Sequence, residues 1–330
     1  MILDYRFLKI GLLLFSSSTL LSYVLTPLAR KLAFKLKILD YPSKRKIHSV
    51  AVPRFGGGAI FLSFLLSLFL YFIICSKSYF DSDWLTSYEL KLFWVKLGYY
   101  LLGTIIVVIV GALDDIKLVD YRVKLIGQIL GALIITAGGT LFHVFDLHIL
   151  NFLISIIWIV GFTNSMNFLD NMNGLSAGLA SIIISFFIFL TFKAHQPLFA
   201  LFLFVPLGCL SGFLPYNFPK AKIFLGDAGS LFIGISLGTY FIWLCNVLFQ
   251  NQASYWNVLS GLFFLASIPL IDTLMVIVIR LRNRKPIYVG DTNHLSHQLV
   301  KAGLSTTSAV MCLYVGTFFA GAISLIFILF

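Results

Sequence analysis

Residues 103–120 read GTIIVVIVGALDDIKLVD, the end of an apolar run that closes on two adjacent carboxylates, Asp114 and Asp115. The run reaches back to about residue 92, roughly twenty residues, enough at ~1.5 Å per helical residue to cross a bilayer core of ~30 Å. A charge at the centre of a membrane helix costs on the order of 2.5–3.5 kcal/mol on insertion scales, so acids held at such a depth are expected to serve a function.

The rest of the chain repeats the pattern. Of its 330 residues 59% are hydrophobic and 11% charged, and 34 are Phe. A soluble protein of this length needs a polar surface that such a composition does not supply. Hydropathy predicts ten membrane helices, at 7–27, 57–75, 92–112, 124–141, 148–163, 173–192, 197–214, 229–249, 257–279 and 307–330. The fold class is therefore all-α, a polytopic membrane protein of about ten transmembrane helices. The first run lacks a small-residue cleavage site and exceeds a signal-peptide core, so it counts as a span. No repeat, low-complexity tract or soluble domain interrupts the pattern, and residues 1–330 read as one integral-membrane domain. Cys75, Cys209, Cys245 and Cys312 are spaced for neither a metal site nor a disulfide framework and read as packing residues.

Charge sets the expected orientation. Six basic residues (Arg6, Lys9, Lys77, Lys91, Lys96, Lys193) fall on one side of the ten spans, and the other 18 of the 24 fall beside the loops after spans 1, 3, 5, 7 and 9. The positive-inside rule makes those loops cytoplasmic and both termini external. The polar segments with chemical character share that side: DYPSKRKIHSVAVPRFGGG, GALDDIKLVDYRVK, NSMNFLDNMNG, PYNFPKAKIFLGDAGS and GDTNHLSHQLVKAG. One active site on the cytoplasmic face, assembled from five loops, accounts for the segregation.

Each segment also has a plainer reading. Asp114 and Asp115 can end a span and pair with Lys117, Arg122 or Lys124, and surface pairs of that kind contribute little. As a functional pair they point about 100° apart on a helix, so one can hold a cation while the other orients a lysine or a substrate group. In NSMNFLDNMNG the polar residues Asn164, Asn167, Asp170 and Asn173 recur every third position. That is either a helix fraying into a turn or a set of amides suited to a nucleobase, a sugar or ribose hydroxyls. Asp227 in GDAGS is an N-cap candidate and equally a hard carboxylate beside free backbone N–H groups, a combination that suits a phosphate bridged by a divalent cation. Gly56–Gly58 read as packing or turn glycines. His294 and His297 share a helix face, with no cysteine or third histidine close by to make a structural zinc site. Imidazoles facing a diphosphate fit the basic surroundings better. Acids, bases and amides on one bilayer face suit Mg²⁺, which takes one or two carboxylates plus phosphate oxygens. Asp227, Asp114, Asp115 and Asp170 are its candidate partners. Such a site fits a reaction between a soluble nucleotide and a lipid that cannot leave the membrane.

GALDDIKLVDYRVK, NSMNFLDNMNGLSAG, FLGDAGS and NHLSHQLV, in this order and at these span ends, resemble the polyprenyl-phosphate N-acetylhexosamine-1-phosphate transferases, glycosyltransferase family 4. The likeness runs from DYPSKRKIH to the last cytoplasmic loop. It implies attack by a polyprenyl phosphate on the β-phosphate of a UDP-amino sugar, giving a lipid diphospho-sugar and UMP. Mg²⁺ is the implied cofactor, with Mn²⁺ as a substitute. By motif position Asp227 is the implied metal ligand, Asp114 and Asp115 the adjacent catalytic acids that also join the metal candidates, and Asp170 the acid of the Asn/Asp loop. Asn167, Asn217 and Phe224 match positions implied to hold uridine, and Lys124 a basic position after the acid pair. His294 and His297 match histidines implied to contact the diphosphate or sugar. Asn164 and His48 complete the substrate-binding candidates. Asn173 stands where an aspartate is usual. NHLSH lacks the consecutive histidines of the pentapeptide-transferase branch and has Ser296 where the N-acetylglucosamine branch often has a third histidine. The resemblance is therefore nearer an undecaprenyl-phosphate N-acetylglucosamine-1-phosphate transferase than a phospho-N-acetylmuramoyl-pentapeptide transferase, and it leaves the exact amino sugar open. The implied setting is a bacterial inner membrane, with no nucleic-acid partner and with an oligomer allowed. An ion-coupled transporter is the alternative from another class, although such sites usually lie near the midplane between repeats. An intramembrane aromatic prenyltransferase would need a second aspartate-rich segment.

Overall fold

The computed structural model describes residues 5–42, 50–79, 87–250, 254–289 and 291–329. Among the described residues there are ten long helices and one short one: α1 (Tyr5–Lys35), α2 (Gly56–Tyr79), α3 (Ser87–Ile116), α4 (Tyr121–Ala137), α5 (His148–Leu169), α6 (Leu175–Lys193), α7 (Pro197–Asn217), α8 (Gly226–Gln250), α9 (Tyr255–Arg282), α10 (Leu295–Lys301) and α11 (Thr306–Leu329). A two-stranded antiparallel ribbon, β1 (Leu39–Asp40) with β2 (Val52–Pro53), follows α1. All ten expected helices are present. Among the described residues nine are long and apolar enough to cross a membrane, and α4, at 17 residues, is shorter.

Two boundaries move for identifiable reasons. The fourth helix, expected at 124–141, starts at Tyr121 because the Asp120 side chain accepts the Arg122 N–H and caps it. The fifth, expected to stop at 163, runs on to Leu169. The polar residues of its last turns find partners on α4 and α8, so they continue the helix instead of fraying it. The short α10 was not expected.

Buried α8 is the centre of the bundle, packed on α5, α3, α2 and α6, while α1 runs along α7 and α11 along α9. Helices in lipid lack a hydrophobic drive towards each other and pack through small residues and polar contacts. A Cβ on Gly57 would lie 2.0 Å from the Gly229 backbone nitrogen, so only glycine lets α2 meet α8 at this point. Beyond it Phe64, Tyr100, Phe202, Tyr240 and Trp243 fill the centre, with the Tyr100 hydroxyl 2.8 Å from that of Tyr240 and 2.7 Å from that of Ser236. Cys75, Cys209 and Cys245 are buried; Cys312 is exposed on α11.

Backbone bonds knit the chain before α2 to the chain before α8. Phe224 N–H donates to Pro53 (2.8 Å), Gly56 N–H to Phe224 (2.9 Å) and Gly57 N–H to Leu225 (2.7 Å). Arg54, bridged to Phe224 and donating its N–H to Ile38, is carried by this seam to the start of α8.

Candidate active site at one end of the bundle

Asp115, in the last turn of α3, reaches the first turn of α8. Its two oxygens accept the N–H groups of Asp227 (2.8 Å) and Ala228 (3.0 Å), which have no partner within α8. Gly226 opens that helix at φ +74°, and a Cβ there would lie 2.7 Å from the Asp115 carboxylate. Because Asp115 supplies the cap, the Asp227 side chain is free to face the ions around it.

Those ions are Arg54 and Lys124. The Arg54 guanidinium is 2.6 Å from Asp227 Oδ1, 3.1 Å from Asp115 Oδ1 and 3.7 Å from Asp114 Oδ2. The Lys124 ammonium lies 2.8 Å from Asp227 Oδ2 and 3.4 Å from Asp114 Oδ2. Asp114 Oδ1 accepts the Val119 N–H, which turns the chain towards α4 and brings Lys124 in. The pairing with Lys124 that a plainer reading allowed does form, but on buried acids instead of at the surface. Burial opposes the charge on Arg54, and Asp227, Asp115 and Asp114 outweigh it, holding the guanidinium above its ordinary value. Asp170, which caps α5, adds a fourth carboxylate. It keeps some solvent contact yet is surrounded by protein on most sides. Burial and the Asp227 charge, against the pull of Arg54, hold it well above the usual carboxylate range.

Asn167 donates to Ser230 Oγ of α8 (2.8 Å) and so lies beside this cluster. Phe224 is half-buried in the seam next to Arg54. Two other candidates are engaged elsewhere. Asn164 exchanges hydrogen bonds with Gln128 of α4 (2.6 and 3.3 Å) and donates to Val160, a clasp between helices. Asn217, buried, accepts the Gly174 N–H (2.8 Å) and donates to Ile223 (2.9 Å), so its amide holds two loops in place. Asn173 donates to Pro219 at the surface. His48 lies outside the described residues.

The histidines form a second group, joined to the acids by the turn after α5. His294 is buried with its ring 6.2 Å from that of Phe168 and 6.1 Å from that of His297. Ser296 donates to Asn171 Oδ1 (2.7 Å). Tyr288, in the chain before α10, stacks on Tyr121 at the start of α4 with ring centres 3.9 Å apart. Burial, with His294 and Lys301 nearby, holds His297 below its ordinary value.

Sequence reasoning did not single out Arg54, Gln128, Asp272 or Arg280. Asp272 is completely buried in α9, 2.7 Å from His294 Nδ1. Buried Arg280 bonds Asp291 Oδ2 (3.0 Å) and the Ile287 carbonyl and lies over the Phe168 ring. Asp272 carried a readable signal, a lone acid inside an apolar span. Arg280 looked like one more basic residue at a helix end, and Arg54 was masked by the glycines after it.

Among the described residues no group of three or more His, Cys, Asp or Glu side chains is arranged to hold a metal unaided. The donors at hand are hard carboxylate oxygens, three carboxyl groups around two cations. That set fits Mg²⁺, which completes its shell with water and phosphate oxygens.

A family model described as glycosyl transferase family 4 matches residues 97–245. A probable undecaprenyl-phosphate N-acetylglucosaminyl 1-phosphate transferase of Bacillus subtilis is 30% identical over 321 residues, covering 94% of this chain and 83% of the relative. A decaprenyl-phosphate N-acetylglucosaminephosphotransferase of Mycobacterium tuberculosis is 29% identical, covering 94% and 81%. A phospho-N-acetylmuramoyl-pentapeptide-transferase of Staphylococcus epidermidis is 28% identical over 236 residues, covering 67% and 71%.

Proposed function

The chain belongs to glycosyl transferase family 4, and we propose that it transfers N-acetylglucosamine 1-phosphate from the UDP-sugar to undecaprenyl phosphate, releasing UMP. The lipid diphospho-sugar formed would initiate a cell-envelope polysaccharide at the inner membrane of a bacterium. The observation that carries the reading is the cluster of Asp114, Asp115 and Asp227 with Arg54 and Lys124, gathered where α3, α4 and α8 begin or end.

Asp227 and Asp114 would hold Mg²⁺. Bound there, the ion would neutralise diphosphate charge and polarise the β-phosphorus for attack. Asp115 holds α8 and Arg54 in place. Arg54 and Lys124 are positioned to exchange carboxylate partners for phosphate oxygens, Arg54 through its two-pronged fork and Lys124 as a point charge. The acceptor phosphate monoester has a second pKa near ~6 and is largely a dianion at neutral pH. The protein's part is therefore mainly positioning and charge neutralisation. In this reading Asn167 and Phe224 would meet the uridine, and His294 and His297 the sugar diphosphate.

These acids lie in terminal helix turns, away from the midplane position usual for transporters. The pentapeptide-bearing donor is the second reading, and NHLSHQLV, without consecutive histidines, disfavours it. Purified protein in lipid with undecaprenyl phosphate and Mg²⁺ should release UMP from UDP-N-acetylglucosamine, and omission of the lipid should abolish release. A higher specificity constant for UDP-N-acetylmuramoyl-pentapeptide would replace the proposed donor. Absence of lipid-dependent UMP release from either would overturn the transferase reading.

A further inference from the structure

Asp272 lies inside α9, ten residues before the helix ends at Arg282, or about 15 Å from that end at the helical rise. An acid at that depth needs partners, and it has two. Its Oδ2 is 2.7 Å from His294 Nδ1, and its Oδ1 accepts the Leu295 N–H at 2.6 Å. Both come from the start of α10, so the chain after α9 folds back alongside its own helix. Arg280 pins that return by bonding Ile287 and Asp291. Thr273, next to Asp272, donates to Ser165 of α5 (2.8 Å), tying α9 to the helix that carries Phe168.

Resting on the reading above, in which His294 meets the donor diphosphate, we infer that Asp272 is the positioning residue that sets the tautomer and orientation of His294 for transfer. With Asp272 as the accepting carboxylate, the proposal puts the proton between the two groups on His294 Nδ1. The ring is held in one orientation, and Nε2 is its one remaining polar atom, with no protein partner among the described residues. Buried imidazoles that act on a ligand through one nitrogen are commonly fixed through the other in this way.

The two bonds make Asp272→Asn a selective probe. The Leu295 N–H is an obligate donor, so the amide oxygen must face it, and α10 stays anchored. The amide NH₂ then faces His294 Nδ1, which can bond only by giving up its proton, and the neutral ring moves to the Nε2–H tautomer. The altered tautomer is known to disable an imidazole whose geometry is otherwise kept.

The test uses full-length protein in lipid nanodiscs with ¹⁵N-labelled histidine. The His294 signals are identified by their loss in His294→Gln. In the wild type above neutral pH Nδ1 should carry the proton, and in Asp272→Asn Nε2 should. Turnover of UDP-N-acetylglucosamine by Asp272→Asn should fall roughly 10- to 100-fold, as on losing a residue that orients a ligand. KM should stay within about threefold, the pattern of an interaction made in the transition state. Asp272→Asn added to His294→Gln should bring no further loss. Wild-type His294 protonated on Nε2 alone would overturn the proposal, a result that needs no folded variant. So would an equal loss from Asp272→Asn in the His294→Gln background. Wild-type protein that releases no UMP would overturn the role in transfer together with the functional reading. The imidazole spectrum tells that failure apart from failure of the Asp272–His294 pair.

Discussion

Adjacent side chains on a helix diverge by about 100°, and Asp114 and Asp115 use that angle to do different things. Asp114 faces Lys124, whereas Asp115 holds the first N–H groups of α8. Asp115→Asn would set an NH₂ against one of those N–H groups and remove the charge facing Arg54. It should lower stability by about 1–3 kcal/mol, read as a lower melting midpoint in detergent. Asp227→Asn keeps the helix cap and loses the charge proposed to hold the metal. Its UMP release should fall by about 10²-fold or more with a smaller change in melting; near-wild-type turnover at saturating Mg²⁺ would remove Asp227 from the metal site. His297 gives a pH test. Its folded-state value is depressed below the ordinary 6.5, so as pH falls the unfolded chain takes up the proton first. The stability this neutral ring contributes is complete above the ordinary value and is lost as pH falls towards the folded one. The melting midpoint should drop as pH falls below the ordinary histidine value, and His297→Gln should flatten part of that slope. Identical slopes would dismiss the effect.

At the scale of elements, α5 shows how much of the site was legible. The every-third polar pattern of NSMNFLD is a single stripe on a continuous helix, and its members meet three different neighbours. Asn164 meets α4, Asn167 meets α8, and Asp170 lies within the electrostatic reach of Asp227 and Arg54. The stripe was readable from spacing; its partners were not, because they come from segments as far as 63 residues away. The Asn164–Gln128 clasp is open to a double-mutant test. Gln128→Leu alone leaves the Asn164 amide without that partner and should cost about 1–3 kcal/mol. Gln128→Leu with Asn164→Leu should recover most of the loss. The double variant should keep the KM for the UDP-sugar, and a large rise would return Asn164 to the nucleotide site.

For the whole molecule, the acids and cations meet where α3 ends and α4 and α8 begin, and the seam from Pro53 to Gly57 locks two of the loops together. We propose that this end faces the cytoplasm, with both termini external, from the distribution of Lys and Arg. Single cysteines at Lys220 and Lys285, with Cys312 replaced, should react with an impermeant maleimide only from the cytoplasmic side. One at Asp146 should react only from outside. External labelling at Lys220 would reverse the orientation and remove the nucleotide's access to the site.

The ten long helices, their approximate bounds and the grouping of polar loops follow from the sequence alone, because lipid forces every backbone polar group into helices and hydropathy reports which segments those are. The motifs in GALDD, NFLDN and GDAGS likewise named the acids. Only the tertiary structure decided which acid does what. Asp115 serves as a cap for a helix 112 residues away, Arg54 enters the cluster through backbone bonds to Phe224, and Asp272 meets His294 because the chain folds back after α9. Each of these contacts depends on where distant helices end relative to one another. Hydropathy and spacing are local properties, so they say that a buried charge must have a partner and cannot say which residue, folded in from elsewhere, that partner is.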